Sequence, residues 1–185
     1  MSDLLINQNE QAREAERAVL GGLMLETQRF DTVIQVIKDS DFEGRDHQII
    51  FESMSELVEE NKPLDPITVS EKLDNKNSLN KVGGKNYLIE LATSTPSAAN
   101  LEAYAEIIRQ RSITRRLIKT NTDISELIKS PQGQDGLALL DRAESMIFAL
   151  NDEASQDNDT LKSMKTLIPS TMDTVSYTHL TLPTN

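Results

Sequence analysis

The sequence predicts an all-α protein: a small helical bundle, then a long antiparallel helical hairpin, then a linker helix. Three observations predict it. In segment after segment apolar residues recur at the three- and four-residue spacing of a helical face, and none alternates as a half-buried strand would. From Ala98 to Lys129 no Gly or Pro interrupts the chain, which allows one helix of about eight turns at 1.5 Å rise per residue. The residues that follow, SPQGQDG at 130–136, are turn chemistry and reverse the chain.

The elements follow in order. Residues 14–25, EAERAVLGGLML, put Ala15, Ala18, Val19, Gly22 and Leu23 on one helical face. Gly21 and Gly22 each cost about 1 kcal/mol relative to Ala in a helix interior, so another backbone is expected to pass close to them, with a ligand contact as the alternative. Further helical faces run through Phe30, Val33, Ile34 and Ile37, and through Ile50, Phe51, Met54, Leu57 and Val58. In NKPLDP, Asp65 can cap a short helix through Ile67, Val69 and Leu73, with Pro66 at its first position, where a missing N–H costs nothing. A turn at Val82–Gly84 precedes a helix through Tyr87, Leu88 and Leu91, which Pro96 ends.

The long helix carries Leu101, Tyr104, Ile108, Ile113, Leu117, Ile124 and Ile128. After the turn, Leu140, Ala143, Ile147 and Leu150 step by three, four and three, the spacing of a helix packed along another. The first arm is too long for its partner to cover, which leaves apolar surface for another chain. Four regions result: a bundle at 1–97, a hairpin suited to dimerisation at 98–150, an acidic linker with a short helical face at 151–174, and an unusual tail at 175–185. The linker face holds Leu161, Met164, Leu167 and Ile168. The tail, VSYTHLTLPTN, is almost uncharged and lacks helical periodicity, as expected of a spurious end.

Composition limits the function. The net charge is −11, with 19 basic and 30 acidic residues, which disfavours direct binding to phosphate backbones. Four Phe, three Tyr and no Trp leave few rings for stacking bases, and Phe30, Phe51 and Phe148 lie on apolar faces. With no Cys there is no disulfide framework, zinc knuckle or thiol nucleophile. No signal-peptide core or membrane-length apolar run is present, so a soluble cytoplasmic protein is expected. Only residues 108–130 are basic, with six basic and two acidic residues.

Within that stretch Arg111, Arg115 and Lys119 form one stripe, flanked by Arg109 and Arg116. It can meet an acidic partner or nucleic acid, be solvated, or pair with Asp135, Asp141 and Glu144 of the returning arm. His47 has no second ligand nearby and reads as a buried, hydrogen-bonded structural residue, while His179 lies in the tail. GGKN at 83–86 is superficially similar to a phosphate loop, but Leu79 stands where that loop needs Gly and Asn86 where it needs Ser or Thr. Asp157 and Asp159 begin like a calcium loop, but Lys162 stands where its Gly should be. No nucleophile elbow occurs. The residues point to a scaffold or oligomerisation module with no catalytic constellation, metal or cofactor.

Five blocks carry a family resemblance: EAERAVLGGLMLE (14–26), DFEGRDHQIIF (41–51), KPLDPITVSEKL (62–73), VGGKNYLIEL (82–91) and the run from Pro96 through Leu117. In this order they resemble the N-terminal domain of the bacterial replicative DNA helicase DnaB family, with LKSMKTLIPSTMD similar to the start of its linker helix. Glu43 and Gln48 depart from the family's usual aromatic and basic residues. The resemblance implies a collar in which N-terminal domains pair through their hairpins, three pairs crown a hexamer, and the hairpin surface binds primase, with a helicase loader as a further partner. It places hairpin self-association at Leu140, Ala143, Ile147, Leu150, Ile113 and Leu117, and docking of the linker helix at Leu161, Met164, Leu167 and Ile168. ATP, Mg2+, DNA contact and 5′–3′ unwinding would belong to a RecA-like motor that this chain does not contain. A competing expectation is a free-standing helical adaptor related to the helicase-binding domain of primase.

Overall fold

The structure is a computed structural model that describes residues 2–95, 97–131, 133 and 135–152, with side chains from Glu10 onward. The rest of the linker, the face of Leu161, Met164, Leu167 and Ile168, and the 175–185 tail lie outside the described residues, as does Pro96. The described residues form helices and no strand: α1 Ser2–Leu25, α2 Phe30–Val33, α3 Arg45–Glu59, α4 Pro66–Asn75, α5 Gly84–Ser94, α6 Leu101–Lys129 and α7 at 136–152. Short 3-10 turns at Thr27–Arg29, Asp39–Asp41 and Leu79–Val82 join some of them.

The chain divides into two compact units, residues 1–116 and 117–185. In the first, α1 packs on α5 and α3, and α4 packs on α3 and α5. Leu20, Leu23, Ile50, Phe51, Met54, Leu73, Leu88 and Leu91 are buried at its centre. Phe51 sits between Phe30 and Phe42, with ring centroids 5.6 and 4.9 Å away.

The two glycines of α1 do what their cost suggests. A Cβ on Gly21 would lie 2.2 Å from the backbone oxygen of Leu91, and one on Gly22 would lie 2.4 Å from Leu101 Cδ2. They let α1 approach α5 and the start of α6. Asp65 caps α4 by accepting from the N–H groups of Ile67 and Thr68 at 2.9 and 3.1 Å, with Pro66 in the first turn. Gly83, at φ 91°, ends the third 3-10 turn in the left-handed region and lets α5 begin at once.

Two expectations shift. The face through Phe30 and Ile37 is not one helix: α2 lasts a single turn and the chain then bends to bring Ile37 and Phe42 inward. A bundle boundary at 97/98 is also too early. Leu101, Ala105 and Ile108 of α6 are buried in the core of the first unit, so the head keeps the first four turns of the long helix.

Candidate functional site

The second unit, in its described residues 117–152, is a helical hairpin. Asp135 opens α7: its side chain accepts from the N–H of Ala138 at 2.8 Å and its carbonyl from that of Leu139 at 3.1 Å. Gly133 turns the chain at φ 81°. Arg142 and Met146 of α7 line a cleft of about 390 Å³ together with Asp123, Glu126, Leu127, Ser130 and Pro131. That places the second arm back along the first.

On α7 the half-buried apolar residues are Leu139, Ala143, Met146 and Leu150, stepping by four, three and four. Leu137, Leu140, Ile147 and Phe148 are 74, 53, 52 and 71% exposed. The inner seam is therefore displaced by one residue from the expected one at two of four positions. The sequence permits both seams because LALL and MIFAL place apolar residues side by side. Helical spacing alone cannot choose between adjacent stripes.

Of the residues expected in self-association, Leu140, Ile147 and Leu117 are exposed, while Ala143, Leu150 and Ile113 are half-buried. Ile118 at 61% and Ile128 at 59% exposure add to the apolar surface of the first arm. Sequence reading missed Leu137 as a member of that surface and put Phe148 on an apolar face without marking it as exposed, although both lie on the stripe next to the chosen seam.

The basic stripe divides. Arg115 donates to the backbone oxygen of Asp41 at 2.6 Å, and Lys119 is exposed. Arg111 is half-buried. Arg109 is buried and donates to the carbonyl of Val36 at 3.0 Å, while Arg116 pairs with the carboxylate of Asp41. Arg115 and Arg116 thus meet acceptors of the head, whereas the second arm's Asp135 caps its own helix.

His47 is fully buried. Its Nδ1 lies 2.6 Å from Glu16 Oε2 and its Nε2 2.7 Å from the hydroxyl of Tyr87. A carboxylate only accepts, so Nδ1 carries the proton. Glu16 also accepts from the N–H of Glu43, and the guanidinium of Arg17 lies 5.6 Å over the ring of Tyr87. Burial pushes the Tyr87 hydroxyl above its ordinary pKa, with Arg17 opposing. These groups bolt α1, α3 and α5 together, and Glu16 also lines a cleft of about 330 Å³ with Glu10, Arg13, Glu43 and Gly44. Among the described residues no group of three or more His, Asp or Glu is placed to hold a metal ion, and no helix is long and apolar enough to cross a membrane.

Comparison with known proteins converges on one family. The sequence pattern of the DnaB-like helicase N terminal domain matches residues 8–110. The chain is 38% identical over 159 residues to the replicative DNA helicase DnaB of Buchnera aphidicola, which covers 86% of this chain and 34% of the relative. It is 36% identical over 162 residues to DnaB of Haemophilus influenzae, with 88% and 35% covered. The chain thus spans about a third of the length of these curated relatives. The crystal structure of the N-terminal domain of DnaB helicase from Mycobacterium tuberculosis is similar, with a TM-score of 0.70 and 31% identity, covering 73% of this chain and 94% of that one. The N-terminal domain of DnaB helicase from Helicobacter pylori, described with its interactions with primase, gives a TM-score of 0.59 at 27% identity, covering 68% and 97%. With the match extending over more than half of its residues, the chain belongs to the DnaB-like helicase N terminal domain family.

Proposed function

We propose that this chain is the non-catalytic scaffold domain of a cytoplasmic replicative DNA helicase, pairing protomers into the ring and recruiting primase. One observation carries the reading. The hairpin exposes Leu117, Ile118, Ile128, Leu137, Leu140, Ile147 and Phe148, a density of bare apolar side chains that marks an interaction surface. Pairing of hairpins through this stripe supplies the homo-oligomer contact. Lys119, exposed on the first arm, would flank a partner such as primase or a helicase loader. ATP, Mg2+ and DNA would be handled by the part of such a helicase outside this chain, which spans about a third of the length of its curated relatives. Family membership favours this reading over the free-standing adaptor.

Velocity sedimentation with Ile147→Asp tests it, since even a neutral polar group left unpaired in an apolar contact costs roughly 2–7 kcal/mol and a carboxylate costs more. The wild type should sediment as a dimer or larger, and the variant as a monomer of unchanged helicity. Titration with the helicase-binding domain of primase should saturate for the wild type. Monomeric wild-type protein that ignores primase would reject the proposal.

A further inference from the structure

The attachment of α6 to the head changes character along its length. Leu101, Ala105 and Ile108 are held by apolar burial in the core. The next two turns, residues 109–116, are held to the segment 36–41 by polar groups. Arg109 donates to Val36 O at 3.0 Å, Ser112 Oγ to Asp41 Oδ1 at 2.7 Å, Arg115 to Asp41 O at 2.6 Å, and Arg116 to Asp41 Oδ1. The second carboxylate oxygen of Asp41 accepts from the N–H of Lys38 at 3.0 Å, which fixes the 3-10 turn Asp39–Asp41. Asp41 is completely buried, as is Ser112 to within 1%. The compact head ends at Arg116, the last residue that Asp41 holds.

We propose that Asp41 is a clasp that sets where α6 leaves the head: closed, the head ends at Arg116; open, it ends at Ile108 and two more turns of helix are released. The physical reason lies in how the two kinds of attachment fail. Apolar burial of Leu101, Ala105 and Ile108 is shared with the whole core and is lost only when the core is lost. Three of the clasp's four contacts converge on one carboxylate and one carbonyl of Asp41, and the fourth, from Arg109, reaches the carbonyl of Val36 in the same segment. Losing the charge of Asp41 removes its ion pair with Arg116 and weakens the hydrogen bond from Ser112, so residues 109–116 can separate while the core stays packed. Opening would lengthen the released helix by about 12 Å at 1.5 Å per residue. The inference concerns only the head and does not depend on what the hairpin binds.

Residue-resolved amide exchange on the full chain tests it, with Asp41→Asn and, from the other side, the partly exposed Arg116→Gln. Asp41→Asn keeps the shape of the side chain and its acceptor oxygen but removes the charge. Both variants should speed exchange in residues 36–41 and 109–116 by roughly tenfold or more, a local opening. Amides of residues 19–24, 50–57 and 101–108 should keep wild-type rates. In the double variant the two effects should fall well short of multiplying, because each removes the same interaction. Unchanged exchange in 109–116 in both variants would overturn the proposal. So would a uniform rise across 19–24, 50–57 and 101–108, because Asp41 would then support the entire core.

Discussion

The head and the hairpin use the same kind of element to opposite effect. In the head, α1, α3 and α5 each turn an apolar face to a shared interior, with Leu20, Ile50, Phe51 and Leu88 buried. In the hairpin, no described residue from 117 to 152 is buried. Seven of the twelve large exposed apolar side chains among the described residues fall in that short stretch. The difference is geometric: a bundle of several helices encloses a centre, whereas two helices share a seam and leave their outer faces bare. The head therefore covers its own apolar faces, whereas the hairpin leaves large apolar side chains exposed.

Mutations should expose this asymmetry first. Phe51→Ala, at the centre of the Phe30–Phe51–Phe42 cluster, should lower unfolding stability by about 3–5 kcal/mol in chemical denaturation. Leu140→Ala, at a position 53% exposed, should change it by less than about 0.5 kcal/mol at dilute protein concentration. A comparable loss at both sites would erase the distinction.

Gly21→Ala sharpens the comparison within the head. The new Cβ meets the backbone of Leu91, so α1 and α5 must move apart, and overpacking should cost about 1–3 kcal/mol despite the higher helix propensity of Ala. Gly136→Ala in α7, where a Cβ meets nothing within 4 Å, should be neutral or slightly stabilising in the same denaturation assay. A comparable effect is expected at the bolt. Tyr87→Phe removes the hydroxyl from His47 Nε2, and a buried nitrogen left unpaired costs about 1–3 kcal/mol.

The smallest effect is the acid response of the head's surface. Hydrogen bonding from Thr68 holds the Asp65 carboxyl below its ordinary range, and Lys76 with Lys72 does the same for Glu56. The ammonium groups of Lys62 and Lys72 bring Glu60 down to about 2. Groups lowered in the folded state contribute stability above their unfolded pKa values, and it is lost as pH falls through the folded ones. Melting temperature should therefore decline as pH drops below about 4.5, and Asp65→Asn should blunt part of that decline. A melting temperature independent of pH between 5 and about 2 would show that these contacts contribute nothing.

Local features were legible in the sequence, and non-local choices were not. The Asp65–Pro66 start of α4, the close approach at Gly21 and Gly22, and the length of α6 follow from residues within a few positions of one another. The choice between the Leu139–Met146 and Leu140–Ile147 seams depends on which way the returning arm rotates, and neighbouring apolar residues hide that. The destinations of Arg115 and Arg116 depend on Asp41, more than seventy residues earlier, and no spacing rule reaches that far. His47 reads as buried from its position near Phe51, but Glu16 and Tyr87 come from two other helices.

Amide exchange measured as a function of protein concentration tests the contrast between head and hairpin most directly. Protection of residues 117–129 and 136–152 should rise with concentration as partner chains cover the hairpin, while that of residues 19–24 and 50–57 stays constant. Protection of the hairpin that is independent of concentration, and as high as that of the head, would contradict the account.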